Sequence, residues 1–170
     1  MIKDLQLTPL QTYWNLDGFA NPETPTANNH TLYLPYSGQR IGVDNILIPD
    51  GSILPNHRYS VNDFWSAPKQ LGANLTSPEI VGNCGFNCSG YDNAWLINRA
   101  QNGPYDWRTE GPVASLSSNF TGIKVDIFTD QDAFQVYSCP GQNGMFQRHT
   151  LSQNLFPLFL SPSLCVIRKC

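Results

Sequence analysis

Between residues 121 and 138, apolar side chains recur at every second position. Ile123, Val125 and Ile127 alternate with Lys124 and Asp126, and beyond Asp130-Gln131-Asp132 the residues Phe134 and Val136 alternate with Gln135 and Tyr137. A period of two sends successive side chains to opposite faces of an extended chain, so each run covers a core with one face only. The pattern predicts a hairpin, two strands about a polar turn. Residues 31–34 and 43–48 read as shorter strands, separated by the turn formers Pro35, Ser37 and Gly38. Residues 60–71 have room for one helical turn, which Pro68 stops from growing. With no window carrying the period of a long amphipathic helix, the expected class is mainly β.

Composition narrows the function. The 170 residues are 41% hydrophobic and 14% charged, with 13 Gly and 13 Pro, enough for one sizeable core of short strands joined by turns. A net charge of −3 with no Lys/Arg cluster offers no footprint for nucleic acid. No stretch reaches the roughly 18 apolar residues of a membrane span. The first residues, Met1-Ile2-Lys3-Asp4-Leu5-Gln6, lack the apolar core of a secretion signal, so the chain as written is expected in the cytoplasm. Asn-x-Ser/Thr sequons at Asn29, Asn74, Asn87 and Asn119 point instead to an extracellular ancestor.

Five cysteines, Cys84, Cys88, Cys139, Cys165 and Cys170, leave their pairing open. Cys84 and Cys88 are near enough to bridge a tight loop in an oxidising compartment, or to stand as two thiols in a turn. A zinc site is disfavoured by spacing, since His30, His57 and His149 lie far apart, and neither a metal nor another cofactor is expected. His30, inside a sequon, and His57, in a Pro-Asn-His-Arg stretch, read as surface residues. Beyond Asp132 the chain holds no Asp or Glu, while Arg148, Arg168 and Lys169 make this end basic.

Two phrases carry more specific information: Thr12-Tyr13-Trp14-Asn15-Leu16 and Gly90-Tyr91-Asp92-Asn93. With Ile48-Pro49-Asp50-Gly51-Ser52-Ile53, the segment from Asp63 to Gly72, and Gln135-Val136-Tyr137, they form five landmarks in order over about residues 8 to 140. Their wording resembles the aldose 1-epimerases, or galactose mutarotases, in a fungal, secreted-type form. The resemblance implies an antiparallel β-sandwich of the galactose mutarotase-like type, here a partial domain over 1–140 followed by a divergent tail over 141–170. A frame change or altered splice after about Asn143 is one origin for such a tail. Within it, Leu155 to Leu160 is apolar enough for a buried strand.

The implied reaction interconverts the α and β anomers of hexoses such as glucose and galactose. A base takes the proton of the anomeric hydroxyl while an acid protonates the ring oxygen, and the two then act in the opposite sense to close the ring. Gln11 stands where the family places its acid histidine, and a carboxamide donates a hydrogen bond but no proton. The family glutamate that acts as base lies beyond the Gln135-Val136-Tyr137 strand, where this chain has no acidic residue. Asp92 matches the aspartate that binds sugar hydroxyls, Gln135 on the next landmark is the second substrate-binding residue the resemblance implies, and Asn93 replaces a histidine. The alternative to an epimerase is a non-catalytic carbohydrate-binding remnant or a truncated inactive fragment. In the remnant, Tyr13, Trp14, Trp95 and Tyr137 stack on a sugar face, although aromatics in strands are more often core. The expected partner is a small sugar, with no nucleic acid or membrane and an open oligomeric state.

Overall fold

The computed structural model describes residues 11–18, 20–22, 26–86, 88–99, 106, 108–138 and 165–169, with Gln11, Tyr13 and 165–169 described by their backbone alone. The described strands are β1 (Gln11–Trp14), β2 (Thr31–Tyr33), β3 (Gln39–Val43), β4 (Pro49–Pro55), β5 (Lys69–Gln70), β6 (Asp92–Leu96), β7 (Ala114–Ser117), β8 (Lys124–Ile127), β9 (Ala133–Tyr137) and β10 (Cys165–Lys169). They form two antiparallel sheets, one ordered β1-β10-β9-β6-β3-β4 and the other β5-β2-β7-β8. Two short 3₁₀ turns, Ala27–Asn29 and Pro78–Ile80, are capped by the hydroxyls of Thr26 and Ser77. The mainly β expectation is borne out.

The sheets face each other over one core. Alternation along β6 and β9 turns Asn93, Trp95, Phe134 and Val136 inward, where they meet Leu32, Leu116 and Ala114 of the smaller sheet. Phe64, from the loop before β5, sits at the centre, with ring centroids 5.1 Å from Tyr91 and 5.8 Å from Trp95, both edge-on. That loop is rigidly built. Asp63 accepts from the N–H groups of Tyr59 and Ser66 and from the Ser66 hydroxyl, and Lys69 Nζ donates to the carbonyls of Ser60 and Val61 at 3.0 and 2.9 Å. The landmark from Asp63 to Gly72 is therefore scaffolding that docks Phe64. Gly72 answers to space as well, since a Cβ there would come within 2.9 Å of the Asn28 carbonyl.

Three local expectations are corrected. The alternating runs at 121–138 do form strands, but not a hairpin: β8 pairs with β7 in one sheet and β9 with β6 in the other. Asp130-Gln131-Asp132 carries the chain across from one sheet to the other, because period two sets which face is buried and leaves the partner open. Residues 43–48 are mostly the turn between β3 and β4. There the Asp44 carboxylate accepts from the N–H groups of Ile46 and Ile48 at 2.9 Å each, and Leu47 has a φ of 67°. The stretch 60–71 holds turns and β5 but no helical turn, because its backbone groups are taken by Asp63 and Lys69. Leu155 to Leu160 lies outside the described residues.

Candidate functional site

The face of the six-stranded sheet turned away from the core carries the polar landmarks. On β6 and β9 the half-buried alternates are Asp92, Ala94 and Leu96, and Ala133, Gln135 and Tyr137. Asp92 lies directly opposite Tyr137, and Gln135 opposite Ala94. Gln135 therefore sits diagonally from Asp92, and its Nε2 donates to Asp92 Oδ1 at 2.6 Å. The other carboxylate oxygen of Asp92 takes no part in that bond.

The backbone fixes where Asp92 begins. Its N–H donates to the Asn83 carbonyl at 2.7 Å, and Tyr91 is clamped by Ser138, whose hydroxyl accepts the Tyr91 N–H at 2.8 Å. Asn83 precedes the Cys84–Cys88 disulfide, so a covalent loop abuts the start of β6. Gly85 of this loop, at φ 89°, packs against the β3–β4 turn, where an added Cβ would lie 3.4 Å from the Asn45 carbonyl. Of the two readings open for this cysteine pair, the bridge is the one found.

Register places the remaining landmarks. Gln11 pairs with Arg168, and Arg168 with Gln135, which puts Gln11, Arg168, Gln135 and Ala94 in one row. The adjacent row runs Tyr13, Val166, Tyr137, Asp92. Gln11 and Gln135 are thus two strand spacings apart, about 10 Å. Residues directly opposite one another share a face, so these rows bring the positions of Gln11, Gln135 and Asp92 onto one side of the sheet. Arg168 is the position that sequence reading missed, because the stretch around it matched no landmark.

Other candidates fall elsewhere. Trp95 is fully buried on the inward face, so it is core and not a sugar platform; strand alternation puts it opposite to Asp92. Trp14 packs against the same core. Asn93 is buried inward with its Oδ1 unpartnered. His57 is exposed, as read. His30 is not at the surface: it is fully buried, its Nε2 accepts the Leu16 N–H at 2.8 Å, and its Nδ1 lies 3.0 Å from Asn29 Oδ1. That geometry makes Nδ1 the protonated nitrogen of a neutral ring. Burial holds the ring's pKa below 6.5, against a smaller opposing pull from Asp17. Burial also resists ionisation of Asp17, yet hydrogen bonds from Asn21, Ser118 and Asn29 outweigh it and keep this carboxyl below its usual range.

An apolar cleft of about 360 Å³ opens between the sheets, lined by Trp14, Val113, Val125, Ile127, Phe128 and Phe134 among others. It lies on the opposite side of the large sheet from Asp92. Among the described residues no three His, Cys, Asp or Glu side chains gather to hold a metal ion, and no helix is long and apolar enough to cross a membrane.

Two facing antiparallel sheets form a fold of the kind seen in the crystal structure of the GalM/aldose epimerase homologue from C. elegans. That structure superposes with a TM-score of 0.60 at 20% identity, over 93% of this chain and 39% of that one. In sequence the chain is 42% identical over 147 residues to the probable aldose 1-epimerase of Arthroderma benhamiae, covering 82% of this chain and 32% of that protein. It is 35% identical to the epimerase FSL3 of Gibberella zeae, over 88% of this chain and 35% of that one. The chain belongs to the aldose 1-epimerase family, and it spans about a third of the length of the curated relatives it matches. No protein-family profile matches it.

Proposed function

We propose that this chain presents the aldose-binding face of an aldose 1-epimerase-type sandwich and holds a hexose such as glucose or galactose without turning it over. Asp92 accepts two neighbouring sugar hydroxyls, Gln135 braces that carboxylate, and Tyr137 supplies an aromatic wall beside it. The observation that carries this reading is the 2.6 Å bond from Gln135 to Asp92 on a half-exposed face. A carboxylate braced in this way is aimed before the ligand arrives, so less ordering is left for binding to offset.

Ring opening needs a group that gives a proton and one that takes it. Gln11 holds the position of the acid but exchanges no proton near neutral pH. Residues 133–170 carry no carboxylate to act as base. Among the described residues, a sugar placed on this face meets the hydrogen-bond partners Asp92 and Gln135 and no proton relay of the family's type. A second reading, turnover itself, draws on the 42% identity to a probable aldose 1-epimerase.

Polarimetric relaxation of fresh α-D-glucose and α-D-galactose, run with saturation-transfer NMR on the same sample, separates the two. The expected result is sugar-dependent saturation transfer that weakens at least tenfold in Asp92→Ala, with relaxation no faster than in buffer or with heat-killed protein. Relaxation above the spontaneous rate gives the chain to the turnover reading. Saturation transfer that is absent, or unchanged in Asp92→Ala, removes the binding face.

A further inference from the structure

Asn119 is exposed at the tip of the hairpin between β7 and β8, followed by Phe120 and Thr121 in a sequon. The tip has a fixed shape. Ser118 Oγ accepts from the N–H groups of Phe120 and Thr121 at 3.1 and 3.2 Å, and Thr121 Oγ1 donates to the Leu16 carbonyl at 3.0 Å. The Asn119 side chain takes part in none of these bonds. Phe120 and Ile123 are 52% and 50% exposed beside it, an apolar surface that water solvates poorly.

Asn29, in a sequon of the same form, has the opposite environment. Its Nδ2 donates to Asp17 Oδ2 at 3.1 Å and its Oδ1 accepts from His30 Nδ1 at 3.0 Å, within a largely buried cluster. The Cys84–Cys88 bridge adds an independent sign, since disulfides persist in compartments where sequons are used.

We infer that Asn119 is an N-glycan acceptor and that Asn29 is not one in the folded protein, whatever the Asp92 face binds. The donor is a lipid-linked oligosaccharide diphosphate, handled by the transferase of a secretory membrane. Asn119 Nδ2 forms a bond to C1 of the first sugar, the bond from C1 to the diphosphate oxygen breaks with its electron pair leaving on that oxygen, the amide proton passes to a base of the transferase, and the lipid diphosphate departs. No oxidation or reduction takes place. A glycan on Asn119 projects into solvent and lays sugar over Phe120 and Ile123. One on Asn29 would leave Nδ2 a single N–H and force the bulk of a sugar into the cluster around Asp17 and His30, so chains carrying it do not reach the folded pool.

The test is secretion of the full chain from a glycosylating yeast behind a cleavable leader, then amidase release of glycans in heavy-oxygen water and peptide mass mapping of the soluble product. The expected result is labelled Asn119 in most molecules and unlabelled Asn29, with Asn119→Gln losing one glycan from the intact mass at an unchanged unfolding midpoint. Retention inside the cell is met by translation with microsomes, where a mobility step lost in Asn119→Gln reports the same event. Unlabelled Asn119 in secreted product, no such step with microsomes, or Asn29 labelled as fully as Asn119 overturns the inference.

Discussion

At the scale of single residues, a dense hydrogen-bonded cluster joins Asp17, Asn29, His30 and Ser118, distinct from the Asp92–Gln135 pair. His30 is held neutral, with a folded pKa below its unfolded value. The unfolded chain therefore binds more protons in the interval between the two values, and stability rises with pH there. The contribution is fully present above about pH 6.5 and is lost as the pH falls from there toward the folded pKa. Urea midpoints from pH 7.5 down to 5 should fall for the parent chain and show a flatter slope in His30→Gln. Equal slopes would mean that the ring is not held neutral. Asp17→Ala removes the acceptor of Asn21, Asn29 and Ser118 and is expected to cost about 3 kcal/mol, read from the same urea curves. The sequence marked Asn29 and His30 as a surface sequon because the short pattern carries no information about burial. Asp17 lies 12 positions before Asn29 and Ser118 lies 101 positions after Asp17, so only folding makes these groups neighbours.

At the scale of elements, aromatic packing and one covalent loop hold the start of β6 in place. Phe64 touches both Tyr91 and Trp95, and Phe64→Ala is expected to destabilise the chain by about 3–5 kcal/mol, with no change in the Cys84–Cys88 bridge. Tyr91 donates to the Val61 carbonyl at 2.9 Å, and burial pushes its hydroxyl pKa well above the ordinary value, so it stays protonated. Opening the disulfide frees a short loop whose closure is worth about 2 kcal/mol, and reductant should lower the urea midpoint accordingly. Cys84→Ser with Cys88→Ser should reproduce that shift and then ignore reductant. Strand existence was legible: the alternation around Val125 and around Val136 gave β8 and β9 with Val125, Ile127, Phe134 and Val136 turned inward, while Ile123, of the same run, lies before β8 and is half exposed. Strand partners were not, because the same alternation suits any neighbour with a matching face, and here each run pairs within a different sheet.

At the scale of the whole molecule, two surfaces of the large sheet have separate fates. Its outer face gathers Asp92, Gln135 and Tyr137, while its inner face packs the core and, toward Trp14 and Phe134, leaves a cleft of about 360 Å³. Mostly apolar clefts of this volume are of the size that takes up a small organic molecule. The native chain should enhance the fluorescence of an anilinonaphthalene dye at concentrations far below any unfolding, and Val125→Trp, which fills the cleft, should reduce that signal severalfold. Full enhancement in the filled variant would place the dye elsewhere. The sequence by itself determined the β class, the inward placement of Val125, Phe134 and Val136, and the family landmarks, since these reside in local order and residue type. Only the tertiary structure decided that Trp95 is core, that His30 is buried, that the late strands separate into two sheets, and that Arg168 falls in register between Gln11 and Gln135. Those outcomes depend on contacts between distant segments, and the free energy of burial and pairing that selects among them is a property of the assembled sandwich.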